Sequence, residues 1–91
     1  MAGFFIAIEP GDEQHAFGVV VPDLPGCFSA GDTHEAALAN AAEAISLHWQ
    51  GLLNEDPLFT PATFPLCQWQ AQPEYQGFTW ARIEVMRPTL A

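Results

Sequence analysis

The chain has 91 residues, of which 49% are hydrophobic and 14% charged, and its formal net charge is −9. This length suits one small domain. Eleven acidic residues against two arginines and no lysine would repel a phosphate backbone, so the composition argues against direct nucleic-acid binding and favours a basic partner. The small charged fraction indicates surface that is buried against copies of the chain or another protein.

Two cysteines, Cys27 and Cys67, lie far apart in the sequence and lack the spacing of metal ligands. The sequence shows neither a signal peptide nor an apolar run near the roughly 18 residues of a membrane-spanning helix. We therefore expect a cytoplasmic protein with free thiols and no membrane contact. A Cys27–Cys67 disulfide stays open as the alternative, although a reducing compartment disfavours it.

The first third of the chain reads as a β-meander. Residues 4–8 and 16–21 are β-rich runs joined by a loop that contains proline and glycine, which predicts a hairpin. Pro22 ends the second strand, residues 23–26 form a turn, and residues 27–30 return as a short third strand. Both faces of the first two strands are largely apolar, so we expect both faces to be covered.

A long Ala-rich helix follows and ends near Asn54. Asp32 as its N-cap would place Glu35 in a capping box, whereas Thr33 as N-cap would place Glu35 in the first turn, where it favours the helix dipole. The side opposite the sheet carries small residues around an exposed Leu47. A stripe with a 3.6-residue period is predicted to pack on the sheet: Leu38, Ala42, Ile45, Trp49, Leu52 and Leu53.

The connection over residues 55–77 is rich in proline and aromatic residues, and connections of this length usually signal function or mobility. It has a candidate helical turn at 66–72, and its aromatic side chains are expected to dock across the open face of the sheet. Residues 78–85 form a last strand that can pair in parallel with the first one through a right-handed crossover. The predicted fold class is α+β in two layers: a three-stranded antiparallel meander, one long helix and a final strand, in the order βββαβ.

Nuclease chemistry of the ribonuclease H type requires several carboxylates that converge on divalent metal ions. The candidates Glu9, Glu43 and Glu84 are not predicted to converge, and the three histidines have no partner at helical or strand spacing. Ser29 lacks the glycines of a nucleophile elbow. We therefore predict no catalytic, cofactor or metal site and no enzyme activity, with a metal-dependent nuclease as the alternative.

Several short motifs together resemble the N-terminal domain of HicB-like antitoxins: residues 22–27, residues 31–33, and Glu35-Ala36, Ala41 and Glu43-Ala44 along the helix. The resemblance covers roughly residues 4–56 and, more loosely, the last strand. It implies a degenerate, partial ribonuclease H-like fold without nuclease activity. It also implies that the chain binds a small basic toxin of the HicA type, an mRNA interferase, and occludes its active site. Members of this family commonly form dimers or higher oligomers.

The sequence departs from the family pattern in two ways. Antitoxins of this family usually continue into a DNA-binding domain, and the connection from Asp56 to Gly77 is longer and more aromatic than the pattern. We expect residues 1–86 to form a HicB-like N-terminal domain and residues 87–91 a tail, with no DNA-binding domain. The candidate toxin contacts are the acids Asp23 and Asp32, the exposed Leu24 of the turn, and Leu47. A stand-alone oligomeric domain that binds a ligand or an unrelated protein is the remaining alternative.

Overall fold

The computed structural model describes residues 2–62 and 64–89. Its elements, in chain order, are β1 (Ala2–Glu9), β2 (Phe17–Val20), β3 (Phe28–Gly31), α1 (His34–Glu55), α2 (Leu66–Gln70), a 3-10 turn (Pro73–Tyr75) and β4 (Thr79–Val85). The strands form one sheet in the order β3-β2-β1-β4, and α1 packs on one of its faces. The α+β class and the βββαβ order are thereby confirmed, with element boundaries within two residues of those predicted.

The predicted parallel pairing of the last strand was wrong, because β4 runs antiparallel to β1 from Ala2↔Val85 to Ile8↔Thr79. A parallel β4 would begin close to where α1 ends. The chain instead uses the long connection to return along the sheet, and β4 begins at the end where β3 leads into α1. The direction of β4 therefore depends on the path of this connection.

The core lies between α1 and the facing side of the sheet. Its helix positions are spaced by four residues: Ala37, Ala41, Ile45, Trp49 and Leu53. The strand positions are mainly those of β1 and β2: Phe4, Ile6, Ile8 and Val19. The predicted stripe is confirmed at Ile45, Trp49 and Leu53, whereas its other members are half-buried at the edge. The two buried alanines bring the helix backbone close to the sheet.

Thr33 is the N-cap of α1, and its hydroxyl accepts a hydrogen bond from the Ala36 N–H at 3.0 Å. This selects one of the two predicted caps and places Glu35 in the first turn. At the other end of the chain, Arg87 of the predicted tail donates to the Pro57 carbonyl at 3.0 Å. Residues 90 and 91 of that tail lie outside the described residues.

Candidate binding surface

The connection after α1 folds over the second face of the sheet, away from the helix. Tyr75 packs edge-on against Trp80 of β4 with 5.5 Å between ring centroids, and it also contacts Phe78. Docking of this aromatic residue on the open face agrees with the prediction. Phe59, by contrast, packs against the core cluster. The second face is thus covered only in part.

An apolar groove of about 360 Å³ remains between the β2–β3 turn and the returning connection. We call it the Phe28 groove, because the Phe28 side chain is 65% exposed. The groove is lined by Val20, Val21, Pro22, Pro25, Gly26, Phe28, Glu74, Tyr75 and Phe78. Glu74 adds one acid to an otherwise apolar lining.

Asp23 anchors the connection to the β2–β3 turn. Its Oδ1 accepts hydrogen bonds from the Phe64 N–H and from the Trp69 indole Nε1–H, each at 3.2 Å. Burial raises the pKa of Asp23, and the two hydrogen bonds oppose that shift. A carboxyl with these partners stabilises the tertiary structure by holding two segments together.

The expectation that Asp23 and Leu24 are exposed was wrong. Asp23 is 8% exposed because the connection covers it, and Leu24 is 1% exposed because its side chain belongs to the core cluster. Backbone hydrogen bonds from Leu24 N–H to the Val21 carbonyl (3.0 Å) and from Cys27 N–H to the Leu24 carbonyl (2.9 Å) hold the turn. The β2–β3 turn therefore has a structural role.

Asp32, in contrast, is exposed, and it lies beside the β1–β2 loop in a cleft of about 260 Å³. We call this the acidic cleft; its lining residues are Asp12, Glu13, Gln14, His15, Ala16 and Asp32. The sequence pattern predicts only a turn for residues 10–15. The missed signal was two adjacent acids in a loop that a hairpin places near the start of the helix.

The electrostatics of the acidic cleft are set by Asp12. Its Oδ1 accepts from the Gln14 N–H at 2.8 Å and lies 2.9 Å from the His15 Nδ1, and these hydrogen bonds lower the pKa of Asp12. Both arginines of the chain are engaged elsewhere: Arg82 pairs with Glu84 at 2.7 Å, and Arg87 binds the Pro57 carbonyl. The cleft therefore presents negative charge to solvent.

Leu47 is 67% exposed on the outer side of α1, as predicted. It lies fourteen residues after the N-cap, which corresponds to about 20 Å along the helix axis. Leu47 and Asp32 are thus on separate surfaces. The four predicted contact residues comprise two buried scaffold residues and two exposed residues that do not meet.

The three glutamates considered for nuclease chemistry are all exposed, on β1, α1 and β4. Across residues 2–62 and 64–89, no three or more His, Cys, Asp or Glu side chains are grouped so that they could hold a metal ion. Cys27 is buried and Cys67 exposed, and both are free thiols. Within the same ranges, none of the helices combines the length and the apolar character needed to cross a bilayer.

The chain is 49% identical over 67 residues to a 14.9 kDa protein from the rep-hol intergenic region of Haemophilus phage HP1, a match over 74% of this chain and 50% of that protein. The chain thus spans half the length of this curated relative.

Solved structures that share the fold include the following two. One is the N-terminal domain of Burkholderia pseudomallei antitoxin HicB, with a TM-score of 0.80, 33% identity, and coverage of 93% of this chain and 99% of that one. The other is a chain from the HicA3 and HicB3 toxin–antitoxin complex, with a TM-score of 0.72, 27% identity and the same two coverages. A family model described as HicB_like antitoxin of bacterial toxin–antitoxin system matches residues 4–90. The chain therefore belongs to the HicB-like antitoxin family.

Proposed function

We propose that this chain is the toxin-neutralising domain of an antitoxin, which binds a small basic HicA-like mRNA interferase and occludes its active site. The observation that carries the proposal is the family match, which spans almost the whole chain. Similarity to a chain from a toxin–antitoxin complex supports it. Membership of an antitoxin family points to a binding role without catalysis.

The acidic cleft is the surface best suited to a basic toxin. Asp12, Glu13 and Asp32 are exposed together, on a chain whose net charge is −9. Complementary charge accelerates encounter and orients the partners. Asp32 therefore remains a candidate contact, and Leu47 remains one as an exposed apolar residue on α1.

The remaining assignments belong to the same proposal. The chain acts in the cytoplasm, because neutralising an mRNA interferase requires meeting it where mRNA is present. Residues 1–86 act as the HicB-like domain, and the segment binds protein and not nucleic acid, as its net charge favours. Two or more copies associate, since few charged side chains cover the surface.

The direct test uses the purified chain and a purified HicA-like mRNA interferase from the same organism. Adding the chain in equimolar amount should abolish cleavage of a labelled RNA by the toxin. The affinity of the two proteins, measured by calorimetry, should fall as salt is raised because the charges become screened. If cleavage continues at equimolar antitoxin, the proposed function is wrong.

The role of the acidic cleft is tested with a double variant, Asp12→Asn with Asp32→Asn. The matched control is Glu43→Gln with Glu55→Gln, which removes the same charge from exposed positions on α1. Exposed ion pairs contribute up to about 1 kcal/mol each, so the cleft variant should bind roughly five- to tenfold more weakly than the control. Equal affinities of the two variants would exclude the cleft as the contact surface.

A further inference from the structure

β4 is an edge strand of seven residues with an open side. It pairs with β1 along one side, and among the described residues no backbone hydrogen bond reaches its other side. The opposite edge of the sheet differs. β3 has only four residues, and the Asn40 side chain binds the outward Ala30 carbonyl at 2.8 Å. Unpaired edges invite pairing with another strand, so β4 is the edge available for it.

The structure also shows which backbone groups β4 presents. The Val21 N–H donates to the Cys27 carbonyl at 3.1 Å, which sets the alternation of inward and outward groups between β2 and β3. Continued through the observed registers, this alternation directs the N–H and C=O groups of Trp80, Arg82 and Glu84 away from β1. These three alternate residues present enough N–H and C=O groups to form hydrogen bonds with another strand.

The charges on this edge are arranged for a second copy of the same strand. Arg82 and Glu84 lie on the second face of the sheet, 2.7 Å apart, with about half of each side chain exposed. If two β4 strands pair antiparallel with the two-fold axis at Ile83, each Arg82 faces Glu84 of the other copy. An axis at Arg82 or at Glu84 would oppose like charges, which destabilises a cross-strand pair.

We propose that two copies of this chain associate through antiparallel pairing of their β4 strands about Ile83, which joins their sheets into one of eight strands. On the helix side, Ala81 and Ile83 are half-buried, and α1 lies closer to β3 than to β4, so the second copy finds an apolar strip there. This inference deepens the self-association in the proposed function and does not depend on toxin binding.

Charge reversal tests the pairing. The chain itself should have twice its monomer mass of 9.9 kDa in light scattering. The single variants Arg82→Glu and Glu84→Arg each place like charges opposite one another, so each should be a monomer. An equimolar mixture of the two variants should return to the dimer mass, because opposite charges then face each other between chains. Mixing cannot restore the Arg82–Glu84 pair within one chain, so recovery reports the interface alone.

A crosslink tests the register. In a Cys67→Ser background, Ile83→Cys should form a disulfide-linked dimer on mild oxidation, since facing residues at the axis lie within disulfide reach. The matched control Ala81→Cys should not, because Ala81 would face Val85 of the other copy. A monomeric parent chain, single variants that stay dimeric, or equal crosslinking at both positions would overturn the inference. Toxin inhibition is measured in a separate experiment, so the failure of the dimer would leave the test of the proposed function unaffected.

Discussion

Asp23 and Trp69 are joined by a 3.2 Å hydrogen bond from the indole Nε1–H to the carboxyl Oδ1, across 46 positions of sequence. The Trp69 ring also packs edge-on against Phe64, whose N–H donates to the same oxygen. These contacts fasten the long connection to the β2–β3 turn. Asp23, which the sequence predicts to be an exposed contact residue, therefore joins two segments within the chain.

Asp23→Asn should show how much the buried carboxylate lowers the free energy of unfolding. The pKa of Asp23 is raised in the folded state, so folding favours its protonated form. The resulting stability is fully present below the ordinary value of 3.8 and is lost as pH rises through the raised pKa. Relative to Asp23→Asn, the parent chain should thus become more stable as pH falls. Urea unfolding at several pH values measures the free energy of unfolding of both proteins. A difference between parent and variant that stays constant with pH would contradict the prediction.

Gly31→Ala should destabilise the fold, because α1 passes close to the end of β3. A Cβ on Gly31 would lie 2.3 Å from the Ala37 nitrogen, and this backbone atom cannot move aside alone. Overpacking of this kind costs about 1–3 kcal/mol or more. The control is Gly51→Ala, since a Cβ there meets nothing within 4 Å, and alanine should stabilise the helix by up to about 1 kcal/mol. Thermal unfolding that changes in the same direction for both variants would disprove this account.

Leu24→Ala and Leu47→Ala should separate a scaffold leucine from a surface leucine. Leu24 is buried in the core, and truncating such a residue costs about 2–5 kcal/mol of unfolding free energy. Leu47 is exposed, so its truncation should change that free energy by less than about 0.5 kcal/mol. Chemical denaturation compares them. A small effect at Leu24 would mean that the turn is not part of the core.

Thr33→Ala should destabilise the chain by about 1 kcal/mol, because it removes the acceptor that caps the Ala36 N–H. Asp32→Ala leaves this cap intact and should have a much smaller effect on stability. Thermal denaturation followed by circular dichroism measures both. If Asp32→Ala lowered the stability more than Thr33→Ala, Asp32 and not Thr33 would be the N-cap.

Most local structure was predictable, because it depends on residues close together in sequence. Pro22 and the glycines mark the turns, alternation marks the strands, and Thr33 was one of two foreseen caps. The family resemblance likewise came from short motifs around the β2–β3 turn and the start of α1. The exposure of Leu47 followed from helical periodicity alone, which separates the two sides of α1.

The burial of Asp23 and Leu24 and the direction of β4 were decided by tertiary structure. The burial of Asp23 and the direction of β4 depend on the connection between α1 and β4, which is held by contacts such as Trp69 with Asp23 that no local pattern contains. Leu24 is buried because its side chain packs in the core. The same holds for the meeting of Asp32 with Asp12 in the acidic cleft, since hairpin and helix must first pack together. Sequence alone determined the elements, the charge and the family. Long-range packing determined which acids face solvent and which strand edge stays open.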